Sequence, residues 1–257
     1  MKNRNIKLVI SYDGTDFHGW QRQSLENKTH RTVQGIIEEA LQEMHKIPIA
    51  LTGAGRTDAG VHAIGQAANF YTNIDSIMPE KFVPALNSLL PKDIRILQAC
   101  EVPADFHARF SASSRTYRYH FILGRPVLPH ENRYNLQLWR YPNMETLNAY
   151  GRLLLGETDC TIFAGAGDTA LAEGKSANRY IYNARFFMEN SRLVFEIRAN
   201  AFLRNMVRSV AGTFLHYEEK ATNPKELQEI IVSGERSLAG PTLPPQGLFL
   251  WEIEYPT

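Results

Sequence analysis

An α+β chain of two consecutive halves is predicted. Segments of strand and helix character alternate from one end to the other, and the mix in the first half is repeated in the second. No low-complexity linker separates the halves. Ile6 to Tyr12 carries β-branched residues and reads as a strand. Thr32 is placed to cap a helix in which Ile36, Ile37, Ala40, Leu41 and Met44 follow the helical period, and Ile47-Pro48 ends it. Ile49 to Leu51 is a short apolar run, and Val61 to Tyr71 a second extended segment. A helix opening at Pro79 puts Phe82, Val83, Leu86, Leu89 and Leu90 on one face; Pro91 closes it before a strand at Ile94 to Val102. The second half begins at Arg115 to Leu123, where alternation sets Tyr117, Tyr119 and Phe121 against Thr116, Arg118 and His120. A helix is predicted at Met144 to Leu155. Tyr180 to Met188 and Leu193 to Ala199 flank a Glu189-Asn190-Ser191 turn and read as a hairpin. Helices at Phe202 to Tyr217 and Pro224 to Val232 and a strand at Leu248 to Glu254 complete the chain. The predicted halves are residues 1–110 and 111–257, sharing an interface with Phe106 to Ser114 as the crossing point.

Composition restricts the class further. With 257 residues, 44% of them hydrophobic, the chain can bury one large core or two modest ones. Cys100 and Cys160 are the only cysteines, too few for a disulfide framework or a Cys-rich zinc site. No apolar run approaches the roughly 20 residues of a membrane helix, and no signal-type apolar block follows Met1-Lys2-Asn3-Arg4-Asn5. A cytoplasmic protein free of membranes is expected. The formal charge of +1 does not announce a polyanion partner, so any nucleic-acid surface must come from uneven charge. Between Phe106 and Arg140, Arg109, Arg115, Arg118, Arg125, Arg133 and Arg140 stand with His107, His120 and His130 against Glu131 alone. Such a cluster can neutralise phosphates. Glu218, Glu219, Glu226, Glu229 and Glu235 make the later helical region a poor phosphate contact.

Residues 53 to 63 read Gly-Ala-Gly-Arg-Thr-Asp-Ala-Gly-Val-His-Ala, and three glycines within eight positions pin one carboxylate, Asp58, into a tight turn between extended segments. The plainer reading of an Asp beside Gly is a turn in which its side chain satisfies backbone N–H groups. The longer pattern argues for chemistry. This string, with Tyr-Asp-Gly-Thr-Asp-Phe-His-Gly-Trp-Gln-Arg-Gln at 12–23 and Arg-Thr-Val-Gln-Gly at 31–35, resembles the tRNA pseudouridine synthase A (TruA) family. Matching stretches at Phe106 to Tyr119, Asn200 to Gly212 and Pro244 to Tyr255 recur in family order.

The resemblance implies an isomerase that breaks the N-glycosidic bond of a tRNA uridine, rotates the uracil and rejoins it through carbon 5, with no cofactor and no metal. It implies action in the anticodon stem-loop, at tRNA positions 38, 39 and 40. For the fold it implies a central mixed, largely antiparallel sheet flanked by helices, with an RNA-binding cleft between the halves. Two rivals come from other classes: an RNA-binding protein of the same fold without chemistry, and a carboxylate-based nuclease. A pure binder has no physical need for a carboxylate facing phosphates, and the metal-ligand clusters such nucleases use are missing from the sequence.

A carboxylate can drive this isomerisation by attacking ribose C1′, by adding to carbon 6, or by removing a ribose proton to give a glycal. Each route needs Asp58 ionised, hence a cation beside it in a partly buried site. The resemblance nominates Arg208; on the predicted helix Arg204, four residues earlier, shares its face. The rival for Arg208 is an ordinary ion pair on a helix surface. A stacked uridine cannot reach Asp58, so it must be flipped out. The resemblance gives Arg56 the flipping role, against plain phosphate contact, and Tyr117 stacking on the displaced uracil, against a place in the core with Tyr119 and Phe121. His62 is expected to be a structural histidine. Phe106, His107, Ala108, Arg109 and Phe110, with Arg125, are expected at the RNA surface.

Three positions depart from the family pattern. Thr158 and Cys160 flank Asp159 where relatives often show His-Asp-Phe, in front of a Gly- and Ala-rich stretch to Lys175 expected to contact tRNA. Leu243 stands where Ala is usual, and Ser24 to His30 forms a small extension. Size bears on assembly: a chain this long has a radius of gyration of about 18 Å, while the elbow of a tRNA lies tens of ångströms from its anticodon arm. A homodimer is expected, as in the family, with Arg125, Arg133 and Arg140 completing the partner's RNA surface.

Overall fold

The computed structural model describes residues 4–22, 30–165 and 167–256, so the extension at Ser24 to His30 lies, apart from His30, outside the described residues. The described residues form ten strands: β1 (Arg4–Tyr12), β2 (Thr52–Gly53), β3 (His62–Thr72), β4 (Ile94–Val102), β5 (Ser114–Leu123), β6 (Leu136–Leu138), β7 (Gly156–Asp159), β8 (Asn178–Glu189), β9 (Arg192–Ala199) and β10 (Leu248–Glu254). The α-helices are α1 (Val33–His45), α2 (Phe82–Leu89), α3 (Met144–Arg152), the four-residue α4 (Thr169–Ala172), α5 (Met206–Glu219) and α6 (Pro224–Ser233). Two compact units form, Met1–Ser113 with Phe249–Thr257, and Ser114–Leu248. Phe249 onward therefore belongs with the first unit, because β10 lies parallel beside β3, with Phe249 opposite His62.

In the first unit the strands run in the order β4-β1-β3-β10, antiparallel except at β3–β10. Ile6, Leu8 and Ile10 of β1 are fully buried with Phe70, Ile37, Leu41, Phe82 and Leu86. The Thr32 hydroxyl caps α1 by accepting the Gly35 N–H at 3.3 Å. The helix ends before Ile47-Pro48, because Lys46 turns left-handed (φ 59°) and donates back to Gln42 O. The apolar run Ile49 to Leu51 forms no strand; β2 is only the two residues after it. Pro79 opens one 3-10 turn before α2; Phe82, Leu86 and Leu90 are buried, while Leu89 is exposed.

In the second unit the order is β5-β9-β8-β7, antiparallel, with the short β6 parallel to β5. One face of this sheet carries an aromatic core: Phe186 stacks on Phe195 at 4.6 Å, and Phe195 and Tyr150 both meet Phe214 of α5. Asn190 (φ 48°) and Ser191 (φ 64°) are both left-handed, the geometry of a two-residue hairpin turn, so β8 and β9 extend further than their apolar runs. In β5, Thr116, His120 and Ile122 are buried as well as Tyr119 and Phe121, so alternation alone underestimates how completely the strand is covered. The largest local difference is at α5. Asn205 adopts φ 60° and the helix starts at Met206, leaving Phe202 to Asn205 as a non-helical approach.

Candidate active site

Asp58 sits between β2 and β3 in a turn closed by its own carbonyl, which accepts the Val61 N–H at 3.1 Å. The segment that follows β1 clamps this turn. Tyr12, at the end of β1, meets the Thr57 hydroxyl at 2.7 Å, with both side chains buried. Burial pushes the ionisation of the Tyr12 phenol upward, partly offset by its bonds to Thr57 and Gln66, so it stays a neutral hydrogen-bonding group. Trp20 N–H donates to Thr57 O at 3.1 Å, and Gln66 donates to Gly55 O at 2.9 Å. Gly19 (φ +90°) lies so close that a Cβ there would come within 2.6 Å of Thr57 O. These contacts hold the backbone on both sides of Asp58, each buried bond contributing about 1 kcal/mol. Asp58 itself is partly exposed and Arg56, two residues earlier, is exposed.

Not all the glycines of the turn are needed. Gly60 is left-handed at φ 78° and Gly53 lies against the Trp20 indole, but a Cβ on Gly55 would meet only open space. His62 is 1% exposed; its Nδ1 accepts the Gly14 N–H at 3.0 Å, and its ring stacks on Phe249 at 4.8 Å. It is the structural histidine that the sequence suggests.

Tyr117 and Arg208 belong to the second unit. Tyr117 keeps 8% exposure, against none for Tyr119 and Phe121 further along the same strand face, and meets Phe202 edge-on at 5.0 Å. Arg208 lies in the first turn of α5. Its Nε donates to Leu243 O at 2.6 Å and a terminal nitrogen donates to Asn205 Oδ1 at 2.9 Å. These two oxygens fix the plane of the guanidinium, whose charge also falls on the Tyr119 phenol. The Leu243 departure concerns a residue that holds Arg208 through its carbonyl, a group every residue type supplies. Arg204 does not share a helix face with Arg208. It precedes the left-handed Asn205, its N–H bonded to Asp168 Oδ2 at 2.6 Å and its carbonyl accepting from Gly165.

The expected RNA surface is only partly surface. Ala108 is fully buried, its N–H bonded to Asn69 and its carbonyl to the Tyr255 hydroxyl, so its methyl is unavailable to RNA. Phe106 packs on Tyr255 at 4.9 Å. Phe110 is 76% exposed, with the His107 ring at 4.4 Å and the Arg109 guanidinium at 5.5 Å from its centroid. Arg118 is held by Glu196 at 2.8 Å and Glu189 at 3.3 Å. Arg125 forks onto Glu131, whose carboxyl it holds down at about 2. Arg140 is bonded to Glu218 and to Leu215 O, which takes it out of the basic wall; the acidic helix that sequence set aside is its partner. In the atypical loop, Cys160 is buried and burial pushes its thiol up to about 12, so the residue serves as packing. Among the described residues no group of three or more His, Cys, Asp or Glu side chains is arranged to hold a metal ion, and no helix is long and apolar enough to cross a membrane.

A part-exposed carboxylate fixed on a clamped turn of an α+β scaffold, with aromatic and arginine side chains displayed to solvent, is the makeup of an RNA-modifying enzyme. The particular family follows from comparison. The pattern of the tRNA pseudouridine synthase family matches residues 8–111 and 151–256. A tRNA pseudouridine synthase A of Treponema denticola is 53% identical over 254 residues, covering 98% of this chain and 93% of the relative. Another of Caldicellulosiruptor bescii is 42% identical over 257 residues, covering 98% and 100%. The chain belongs to the tRNA pseudouridine synthase family.

Proposed function

We propose that this isomerase converts uridine to pseudouridine in the anticodon stem-loop of tRNA, at positions 38, 39 and 40, with Asp58 as the reacting carboxylate. The observation that carries the reading is the Asp58 turn, held from Tyr12, Trp20 and Gln66 while its carboxylate stays partly exposed. Arg56, exposed on the same turn, is assigned to flipping the uridine. Tyr117 is assigned to stacking on the displaced uracil, and Arg208 is the cation that favours the ionised carboxylate. Exposed Arg109 and Phe110, with the half-buried His107 ring beside Phe110, supply RNA contact; Phe106 and Ala108 support that segment from beneath. Incubation with tRNA tritiated at uracil carbon 5, in buffer containing a metal chelator, is expected to release tritium to water. No release from several unmodified tRNAs would leave an RNA binder.

Tyr117→Phe keeps the ring and is expected to reduce turnover moderately. Tyr117→Ala removes the stack, worth about 1–3 kcal/mol per base, and is expected to lower kcat/KM by roughly 10- to 100-fold. The check is tritium release set beside the melting temperature: a large drop in Tm with the specific activity of the folded fraction retained would make Tyr117 a core residue.

The assembly we propose is a homodimer in which each subunit adds arginines to its partner's RNA surface. Arg125 and Arg133 carry this role because both are exposed, Arg125 with Glu131 on its guanidinium; Arg140, half-buried between Glu218 and the Leu215 carbonyl, does not. Charge reversal at Arg125 and Arg133 is expected to weaken full-length tRNA at least several-fold more than an isolated anticodon stem-loop. A monomer by light scattering at micromolar concentration, or equal weakening of both RNAs, would dismiss the shared surface.

A further inference from the structure

The sheet of the second unit presents, opposite its aromatic core, a face that holds an aromatic pair with no part in the site above. On β8, Tyr180 and Tyr182 are 48% and 42% exposed, with ring centroids 5.0 Å apart. The register places Ile181 opposite Ala199 and Asn183 opposite Arg198, so Tyr182 is an extra, bulged residue. A bulge re-aims a side chain at the expense of ladder pairing. Alternation from the buried Ile181 sets Tyr180 and Tyr182 on the outer face, and the bulge adds Asn183 to it, with the Arg198 guanidinium 5.3 Å from the Tyr182 ring centroid. The backbone under Tyr180 is fixed by two bonds to Asn200, N–H to Oδ1 at 3.0 Å and carbonyl from N–H at 3.1 Å. On the same face, Glu196 is held by Arg118 and Arg185 at 2.8 and 2.9 Å, Arg118 also reaches Glu189 at 3.3 Å, and Glu157 stands opposite Tyr180, so arginines and carboxylates alternate around the ring pair and Arg198 is the cation nearest to it.

We propose that Tyr180, Tyr182 and Arg198 form a stacking platform for an unpaired nucleotide of the tRNA substrate, a proposal that rests on the assignment of tRNA as substrate. Exposed rings on a rigid backbone stack on any base, and the adjacent arginines meet the phosphates that accompany it. The platform contributes binding; the reacting carboxylate is elsewhere.

Two measurements test it. The double variant Tyr180→Ala/Tyr182→Ala is expected to raise KM for tritium release and Kd for unmodified tRNA by about 5- to 100-fold, with a much smaller fall in kcat. Tyr180→Phe/Tyr182→Phe is expected to bind close to wild type. In the unaltered protein, nitration of both tyrosines by tetranitromethane, read by peptide mass, is expected to be suppressed by saturating tRNA. Wild-type KM and Kd in the Ala variant, or unchanged nitration under tRNA, would overturn the platform. The nitration result holds even if the Ala variant fails to fold. Absent tritium release by the wild type, with protection retained, would remove the catalytic reading and leave the platform standing.

Discussion

Replacing Asp58 by Asn is expected to lower tritium release by about a hundred- to ten-thousandfold, while tRNA affinity stays within a few-fold of wild type. Acid–base and covalent roles of a single side chain are worth about 10²- to 10⁴-fold, and Asn keeps the shape and most hydrogen bonds while losing the charge. Bonds through the Thr57 hydroxyl, the Thr57 and Gly55 carbonyls and the backbone carbonyl of Asp58 hold the turn, and Asn keeps all of these. Gel-shift affinity and tritium release on the same preparation decide the matter. Parallel loss of both would make Asp58 a structural residue.

Gly14→Ala is expected to damage activity from a position that carries no functional group. A Cβ at Gly14 would overlap the Val61 carbonyl oxygen, which belongs to the backbone and cannot swing aside. The Gly14 N–H is also bonded to His62 Nδ1, so the start of β3 and the Asp58 turn must move together. Overpacking of this kind costs about 1–3 kcal/mol. A displacement on the order of an ångström in a reacting group costs about 10²-fold in rate. The expected result is a lowered Tm and a kcat reduced by roughly 100-fold. Gly55→Ala is the control, because open space surrounds that position; its stability is expected to change by less than about 0.5 kcal/mol. Equal kinetics in the two variants would show that the clamp does not position Asp58.

The sequence by itself determined what depends on neighbours along the chain. Thr32 caps α1, the alternation of β5 and the limits of β4 and β10 are visible in the residue types, and Asp58 stands out because glycines and small residues enclose it. Local bonding and local period are enough for such features. What only the tertiary structure decided involves partners far apart in sequence. The segment from Tyr12 to Trp20 reads as a motif, but its physical task is visible only when Thr57 lies against it. The start of α5 depends on the left-handed Asn205, in a stretch where Arg204 is bonded to Asp168, some 36 residues earlier in the chain. Arg140 is basic by sequence and neutralised by Glu218 only in the folded unit; Ala108 lies in a motif and is buried by Tyr255 and Asn69. Charge and exposure belong to the environment a side chain finds on folding, and that environment is built from contacts that a local pattern does not encode.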